Sequence, residues 1–316
     1  MTPGNDRERP FFTVIVPTFN RAGMMRRVLG SVTRQRHDAW ELVVVDDCSS
    51  DDTERAVRAL GDPRIRYVRH EVNKGVCAAR NTAIDAARGR WLVMLDSDFE
   101  LLPGALATLE RLCRAAPDDV GNVATHMAWD VGPSTPDPSP PGDMLLTYPE
   151  FLAWLEGVKT PEWFNCIRRE VFDALRYPTG RAYETPLHFA IARDWRFLLV
   201  KEKVCLGHTD ARDRITRGPP LARARRLLRD APDWSASVAA MLDAHGAVMR
   251  DAAPRMRDRM DIHLANLLLL KGDRAGALAA LRRIDPKLSR SPRTLVITAL
   301  GLLDRRALAL AQALRS

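Results

Sequence analysis

Apolar positions in the first half of the chain fall into two rhythms. Short apolar-rich runs, "FFTVIVP" at 11–17, "WELVVVDD" at 40–47, "IRYVRH" at 65–70 and "WLVML" at 91–95, have the length and composition of strands. The continuous Val run of the second suits a strand covered on both faces, as in a parallel sheet. Between them, apolar residues recur at three- and four-residue spacing. Met24, Val28 and Val32, flanked by Met25 and Leu29, form one such face. Ala56, Val57 and Leu60 behind "SSDDT" form a second, and Val76, Ala79, Ala83 and Ala87 behind "NKG" a third. Each reads as a helix, the second capped by its Ser and Asp residues. Pro103 is placed to open a fourth in its first turn, with Leu106, Leu109 and Leu112 inward. This alternation predicts an α/β fold with a mostly parallel, Rossmann-like sheet.

The fourth strand runs straight into Asp96-Ser97-Asp98. In an extended segment two carboxylates one residue apart point the same way and repel unless a cation lies between them. The plainer reading is a turn, which Asp and Ser favour. Open α/β sheets bind ligands at the carboxyl ends of their strands, where these acids stand.

Further along, "VGNVATHMAW" (120–129) reads as a strand and the Pro-rich segment 131–143 as an insertion loop near a site mouth. A short helix at 149–156, a strand at "FNCI" and a helix "RREVFDAL" at 168–175 follow. "TPLHFAIA" (185–192) is a helix capped by Thr185 with Pro186 in its first turn, and 196–208 is a long strand. From residue 212 onward only helical patterns remain. "IHLANLLLLKGDRAGALAALRRID" (262–285) resembles one tetratricopeptide-like helix-turn-helix, read here as part of an appended helical bundle.

Charge separates the same two regions. Residues 1–211 carry 27 Lys and Arg against 30 Asp and Glu, a net of −3, whereas residues 212–316 carry 21 against 10, a net of +11. The basic region has no Glu and two Lys, so its charge is nearly all Arg. Such a surface suits polyanions, including anionic lipid headgroups. Nucleic acid is disfavoured, because Trp234 is the region's single aromatic residue and stacking platforms are missing. Five scattered cysteines without a Cys-x-x-Cys pair argue against a disulfide framework or a structural zinc site. With no signal-peptide core and no apolar run near the ~20 residues of a membrane span, the expected location is the cytoplasm, possible peripheral contact with an anionic membrane included.

Four stretches, in order, then carry a resemblance: "VIVPTFNR" (14–21), "ELVVVDDCSSDDT" (41–53), "NKGVCAARNTAIDAARGRW" (73–91) and "LVMLDSDFELLPGAL" (92–106). Together they resemble the inverting glycosyltransferases of family 2, which have the GT-A nucleotide-diphospho-sugar transferase fold. The resemblance covers about 100 residues closely and some 210 in outline. It implies a catalytic domain over 1–211, with a nucleotide-binding half at 1–100 and an acceptor half at 120–211, followed by a basic helical module at 212–316. The Gln-x-x-Arg-Trp signature of processive members is absent, so transfer of a single sugar is expected.

By the same resemblance, the donor is a nucleotide-diphosphate sugar, UDP-linked, and the cofactor a divalent cation, Mn²⁺ or Mg²⁺. Asp98 is the expected metal ligand, with Asp96 on the ribose or on the metal through water. Pro17, Thr18, Asn20 and Arg21 frame the nucleotide with Ser97, Asp47 accepts from the base, and Lys74 and Arg80 lie near the diphosphate. Helix capping is the competing reading for Asp47, and a surface position for Arg80. Many relatives carry Glu-Asp at a helix start, the second acid being the general base. In "AYETPLHF" (182–189) that pair aligns either with Tyr183-Glu184, which makes Glu184 the base, or with Glu184-Thr185, which leaves none. His208 is a candidate further metal ligand, and Arg212, Arg214 and Arg217 a candidate lid over the diphosphate. Trp154, Trp163 and His188 mark an acceptor region whose occupant, a glycan, natural product, lipid-linked molecule or protein, is left open. The alternative is a degenerate transferase acting as a scaffold through its basic helices. A nucleotidyltransferase would need a Gly-rich basic loop after the first strand, which "VPTFNRAGMM" lacks.

Overall fold

A computed structural model of the chain describes residues 9–180, 184–210, 219–285 and 304–314. Its order is β1 (Phe12–Thr18), α1 (Ala22–Thr33), β2 (Trp40–Asp46), α2 (Thr53–Arg58), β3 (Ile65–Arg69), α3 (Val76–Ala86), β4 (Trp91–Met94), β5 (Phe99–Leu101), α4 (Ala105–Ala115), β6 (Val120–Trp129), β7 (Met144–Leu146), α5 (Tyr148–Gly157) and β8 (Phe164–Arg168). Then come α6 (Thr185–Asp194), β9 (Arg196–Gly207), α7 (Pro220–Ala252), α8 (Pro254–Lys271), α9 (Arg274–Leu281) and α10 (Arg305–Ala313).

The strands form one sheet in the order β3-β2-β1-β4-β8-β6-β9-β5, with β7 also paired to β9. β1 to β4 are mutually parallel, and β6 runs parallel to β9; β8 joins these halves antiparallel to both β4 and β6. Every residue of β1, β2 and β4 is buried, the polar Thr13, Thr18, Glu41 and Asp46 included. Met25, Val28, Leu29 and Val32 of α1 and Leu106, Leu109 and Leu112 of α4 join the same core.

Three local expectations change. Asp52 precedes α2 but its side chain makes no capping hydrogen bond, because it pairs with Arg55 at 2.6 Å; Asp51 serves the Thr53 N–H instead. Pro103 does not open α4, since Gly104 takes a left-handed φ of 77° and the helix starts after it. Residues 169–173 form only a 3-10 turn, the usual outcome for a segment too short for stable i→i−4 bonding. β5 and β7, three residues each, have too few positions to show a period.

Contacts divide the chain into two compact units. Among the described residues, one holds 9–151, 157–180 and 190–209; the other holds 152–156, 184–189, 210, 219–285 and 304–314. In the second, α7 packs on α8 and α10, and α8 on α9. Gly272, with φ 97°, ends α8, and Asp273 caps α9 by accepting from Gly276 N–H. No helix among the described residues is long and apolar enough to cross a membrane.

Candidate active site

The parallel register places Thr18, Asp46 and Arg69 in one row at the carboxyl edge of the sheet. Beyond that row the chain must turn, and the turns are tied to one another. Asn20, held at φ 53°, donates its N–H to Ser49 Oγ at 2.8 Å and accepts from Ser50 N–H through Oδ1 at 2.8 Å. Asn tolerates this left-handed conformation better than most residues. Arg21 N–H donates to Thr53 Oγ1 at 3.1 Å, and Ala22 N–H to Asp51 at 3.0 Å. Asp46 accepts from Ser49 N–H at 2.8 Å and from the Tyr67 hydroxyl at 2.5 Å. Burial, then the bond to Asp46 and its charge, push the Tyr67 phenol above its usual range. Pro17 lies within β1, and Thr18 is buried with a hydroxyl that has no hydrogen-bond partner among the described residues.

Asp47 turns inward. Its carboxylate accepts from Lys74 N–H at 2.8 Å and Gly75 N–H at 2.7 Å and meets His70 Nδ1 at 2.8 Å. The loop before α3 is therefore built on Asp47, while the Lys74 side chain stays exposed.

β4 ends at Met94, after which Leu95 N–H still donates to Ile15 at 3.0 Å. Asp96 then closes a turn by accepting from Phe99 N–H through its carbonyl, with Ser97 and Asp98 between, all half-buried. Arg80 is not a surface residue of α3. It is buried, donates to Asp96 Oδ1 at 2.6 Å and lies 5.3 Å from the Tyr177 ring centroid. The Asp98 carbonyl accepts from His208 N–H at 3.0 Å, which brings the end of β9 to the turn. His208 Nε2 lies 3.1 Å from Glu100 and Nδ1 3.6 Å from Asp130. The N–H of Thr209 holds the Asp130 carboxyl below its usual range. The charge density of this edge reaches its neighbours. The Cys205 thiol is pushed well up by burial first and then by Asp96, Asp98 and Glu100.

No group of three or more Asp, Glu, His or Cys side chains converges on a metal position among the described residues. The donor set nevertheless fits a hard divalent cation, because Mg²⁺ and Mn²⁺ are commonly held by one or two carboxylates plus substrate phosphates. Asp98 and Asp96 offer such oxygens, Asp96 already carrying Arg80.

Trp163 packs edge-on against Phe151 and Phe197 and donates to Asn165 at 2.9 Å. Trp154, Glu184 and His188 belong to the second unit, where Glu184 directly precedes α6 and its carbonyl accepts from Leu187 N–H. Tyr183, Arg212, Arg214 and Arg217 lie outside the described residues. Sequence reasoning missed His70, Tyr67, Glu100 and Asp130. The one signal for them was position, each standing in or just beyond a strand that reaches this edge.

A mostly parallel sheet with an acidic turn after its fourth strand, and stapled loops beside it, is the GT-A form of nucleotide-sugar transferases. A sequence model described as Glycosyl transferase family 2 matches residues 13–173, half of the 316-residue chain. The chain belongs to glycosyltransferase family 2.

Among curated relatives, the GalNAc(5)-diNAcBac-PP-undecaprenol beta-1,3-glucosyltransferase of Campylobacter jejuni is 41% identical over 103 residues, 32% of this chain and 33% of the relative. The validoxylamine A glucosyltransferase of Streptomyces hygroscopicus is 29% identical over 191 residues, 59% of this chain and 44% of the relative. The chain thus spans about a third of the first of these relatives and under half of the second. Among solved structures, S. aureus TarS 1-349 in complex with UDP-GlcNAc superposes with a TM-score of 0.61 at 16% identity, covering 96% of this chain and 91% of that one. The Pyrobaculum calidifontis mannosyltransferase PcManGT, in complex with GDP-Man and Mn²⁺, gives 0.52 at 21% identity, covering 97% and 87%. These likenesses establish the GT-A fold.

Proposed function

We propose that the protein transfers one sugar from a UDP-linked nucleotide-diphosphate sugar to an acceptor hydroxyl, by direct displacement with inversion. The observation that carries this reading is the Asp96-Ser97-Asp98 turn at the carboxyl edge of β4, beside the stapled ends of β1 and β2. Thr18, Asn20 and Arg21 belong to the segment that would lie along the nucleoside. Thr18 contributes a buried hydroxyl without a partner among the described residues, which a ligand would satisfy. Lys74, at the entry to α3, would meet the diphosphate in this reading. Arg80 donates to Asp96 at 2.6 Å, and its positive charge would offset the repulsion between two carboxylates one residue apart.

Asp98, with Asp96, would hold a divalent cation; when bound, it offsets the charge that develops on the departing diphosphate. Glu184 is the general base of this reading: its carboxylate would take the proton of the acceptor hydroxyl on the face opposite the leaving group. The +11 helical module and the name of the undecaprenol-linked relative from Campylobacter jejuni support an acceptor presented at an anionic membrane surface.

The test is a panel of UDP-, GDP- and dTDP-sugars with Mn²⁺, read first as thermal shift and then as transfer or hydrolysis. A ligand that binds the folded state alone raises the melting temperature. UDP-sugars are expected to give the largest rise. Asp98→Ala should lose metal-dependent nucleotide binding and turnover together, and Glu184→Gln should keep binding while kcat falls by about 10²–10⁴-fold. Full transfer by Asp98→Ala without added metal would sink the mechanism.

A further inference from the structure

His70 takes no part in the proposed transfer, yet it is the most completely engaged imidazole at this edge. It follows β3, is buried, and donates its backbone N–H to the Asp46 carbonyl at 2.9 Å. Nδ1 lies 2.8 Å from Asp47 Oδ1, and Nε2 lies 2.9 Å from Thr82 Oγ1 on α3. An ionised carboxylate only accepts, so Nδ1 carries the proton, and in the neutral ring Nε2 accepts from the Thr82 hydroxyl. The ring is thereby fixed at both ends, between the end of β2 and the body of α3.

Asp47 is the other half of the device. A carboxylate offers about four lone-pair directions. On Oδ1, His70 and Lys74 N–H use both; on Oδ2, Gly75 N–H uses one. The Asp47 carbonyl also accepts from the Asn73 amide at 3.1 Å. Among the described residues one acceptor direction, on Oδ2, is left unused, and the bond from His70 to Oδ1 fixes the orientation of the carboxylate that carries it. The same bonds shape the loop 73–75, in which Gly75 sits at φ 92°, a conformation L side chains rarely adopt. Lys74 lies in that loop, and α3, which it opens, carries Arg80 to Asp96.

We infer that His70 is a positioning residue for the nucleoside diphosphate. Through Asp47 on one side and Thr82 on the other it presets the last free carboxylate direction and the loop that offers Lys74 to the phosphates. This rests on the reading of the edge as a donor site. The consequence belongs to binding: loss of the imidazole should raise the donor KM with little change in kcat, the signature of an interaction made equally in ground and transition states.

UDP with Mn²⁺, titrated calorimetrically into the full chain, is the probe, alongside donor KM, kcat and melting temperature. His70→Leu is expected to weaken UDP about ten-fold or more. His70→Asn is expected to recover most of that loss, because its amide nitrogen replaces the Nδ1 donor in nearly the same place. Thr82→Val removes only the far hydrogen bond and serves if His70→Leu fails to fold; it is expected to weaken UDP about three-fold. Wild-type binding by His70→Leu, or by Thr82→Val where that variant stands in, would overturn the positioning role alone. So would a His70→Asn no better than His70→Leu at unchanged melting temperature. A wild-type chain that binds no nucleoside diphosphate would overturn the donor-site reading and this inference with it.

Discussion

Asp96 and Asp98 are two residues apart and share one turn, and Asp96 is tied there to a partner from another element. Asp96 is the partner of a buried guanidinium whose side chain is 5% exposed. Removing one member of such a pair leaves the other desolvated without its counter-charge. Asp96→Ala is therefore expected to cost about 1–3 kcal/mol of folding stability, measurable by urea denaturation without any ligand. A variant as stable as wild type would show that Arg80 does not depend on Asp96. The acidic pair itself was legible in the sequence, because strand, turn and carboxylates are contiguous. The pairing of Asp96 with Arg80 was not, since Arg80 lies 16 residues upstream and Tyr177 approaches from beyond β8.

Elements of the nucleotide half are held together away from the site by a charge that the strand pattern alone would place badly. Glu41 stands in β2 with its side chain 3% exposed. It accepts from Thr13 Oγ1 at 2.7 Å and from Arg88 N–H and Nε at 2.7 and 2.8 Å, with Arg66 at 3.2 Å. Thr13 Oγ1 in turn accepts from Gly89 N–H at 2.8 Å. Gly89 cannot be larger: a Cβ there would stand 2.3 Å from Thr13 N. Burial alone would raise the Glu41 pKa, but the bonds from Thr13 and Arg88 and the charge of Arg66 outweigh it, and the carboxyl titrates below its usual range.

The sign of the pH effect follows from that direction. A carboxyl depressed in the folded state contributes stability above its unfolded pKa, about 4.3, and loses it as pH falls through the folded value. Glu41→Gln should therefore cost stability near neutral pH, by about 1–3 kcal/mol. The gap to wild type should close as pH drops below ~4. Denaturant melts across that range check it, and a gap constant with pH would refute it. Among the elements, the long strands and helices were legible in the sequence, because their periods are local. The three-residue strands β5 and β7, the start of α4 after Pro103 and the 3-10 turn were not, because pairing or a single left-handed glycine decides them.

Across the whole molecule, charge divides into a nearly balanced region, net −3, and a basic one, net +11. The Arg-rich helical unit is not simply a solvated basic surface, because part of its charge is neutralised inside. Asp261 of α8 is fully buried and meets Arg257 at 2.7 Å, Arg283 at 3.0 Å and Arg250 at 3.8 Å, while Asp258 beside it holds Arg250 at 2.7 Å. This network ties α7, α8 and the segment after α9 together. Asp261→Ala leaves three guanidinium groups without their common anion. The expected loss is on the order of 2–3 kcal/mol, below the value for a fully buried pair because Arg250 and Arg283 keep access to water. It is read as a lower helical melting temperature in circular dichroism. An unchanged melt would show the network to be dispensable.

What the sequence determined by itself is everything that depends on neighbours along the chain: the strand and helix periods, the placement of two acids at the carboxyl end of β4, and the four ordered motifs of family 2. Tertiary structure alone decided which of those side chains are free to work and which are committed. Arg80 was committed to Asp96, most of the Asp47 carboxylate to His70 and the loop before α3, and His208 to the neighbourhood of Glu100 and Asp130. Each of those commitments joins residues from different elements, and a buried polar group takes whichever partner the packing of those elements delivers.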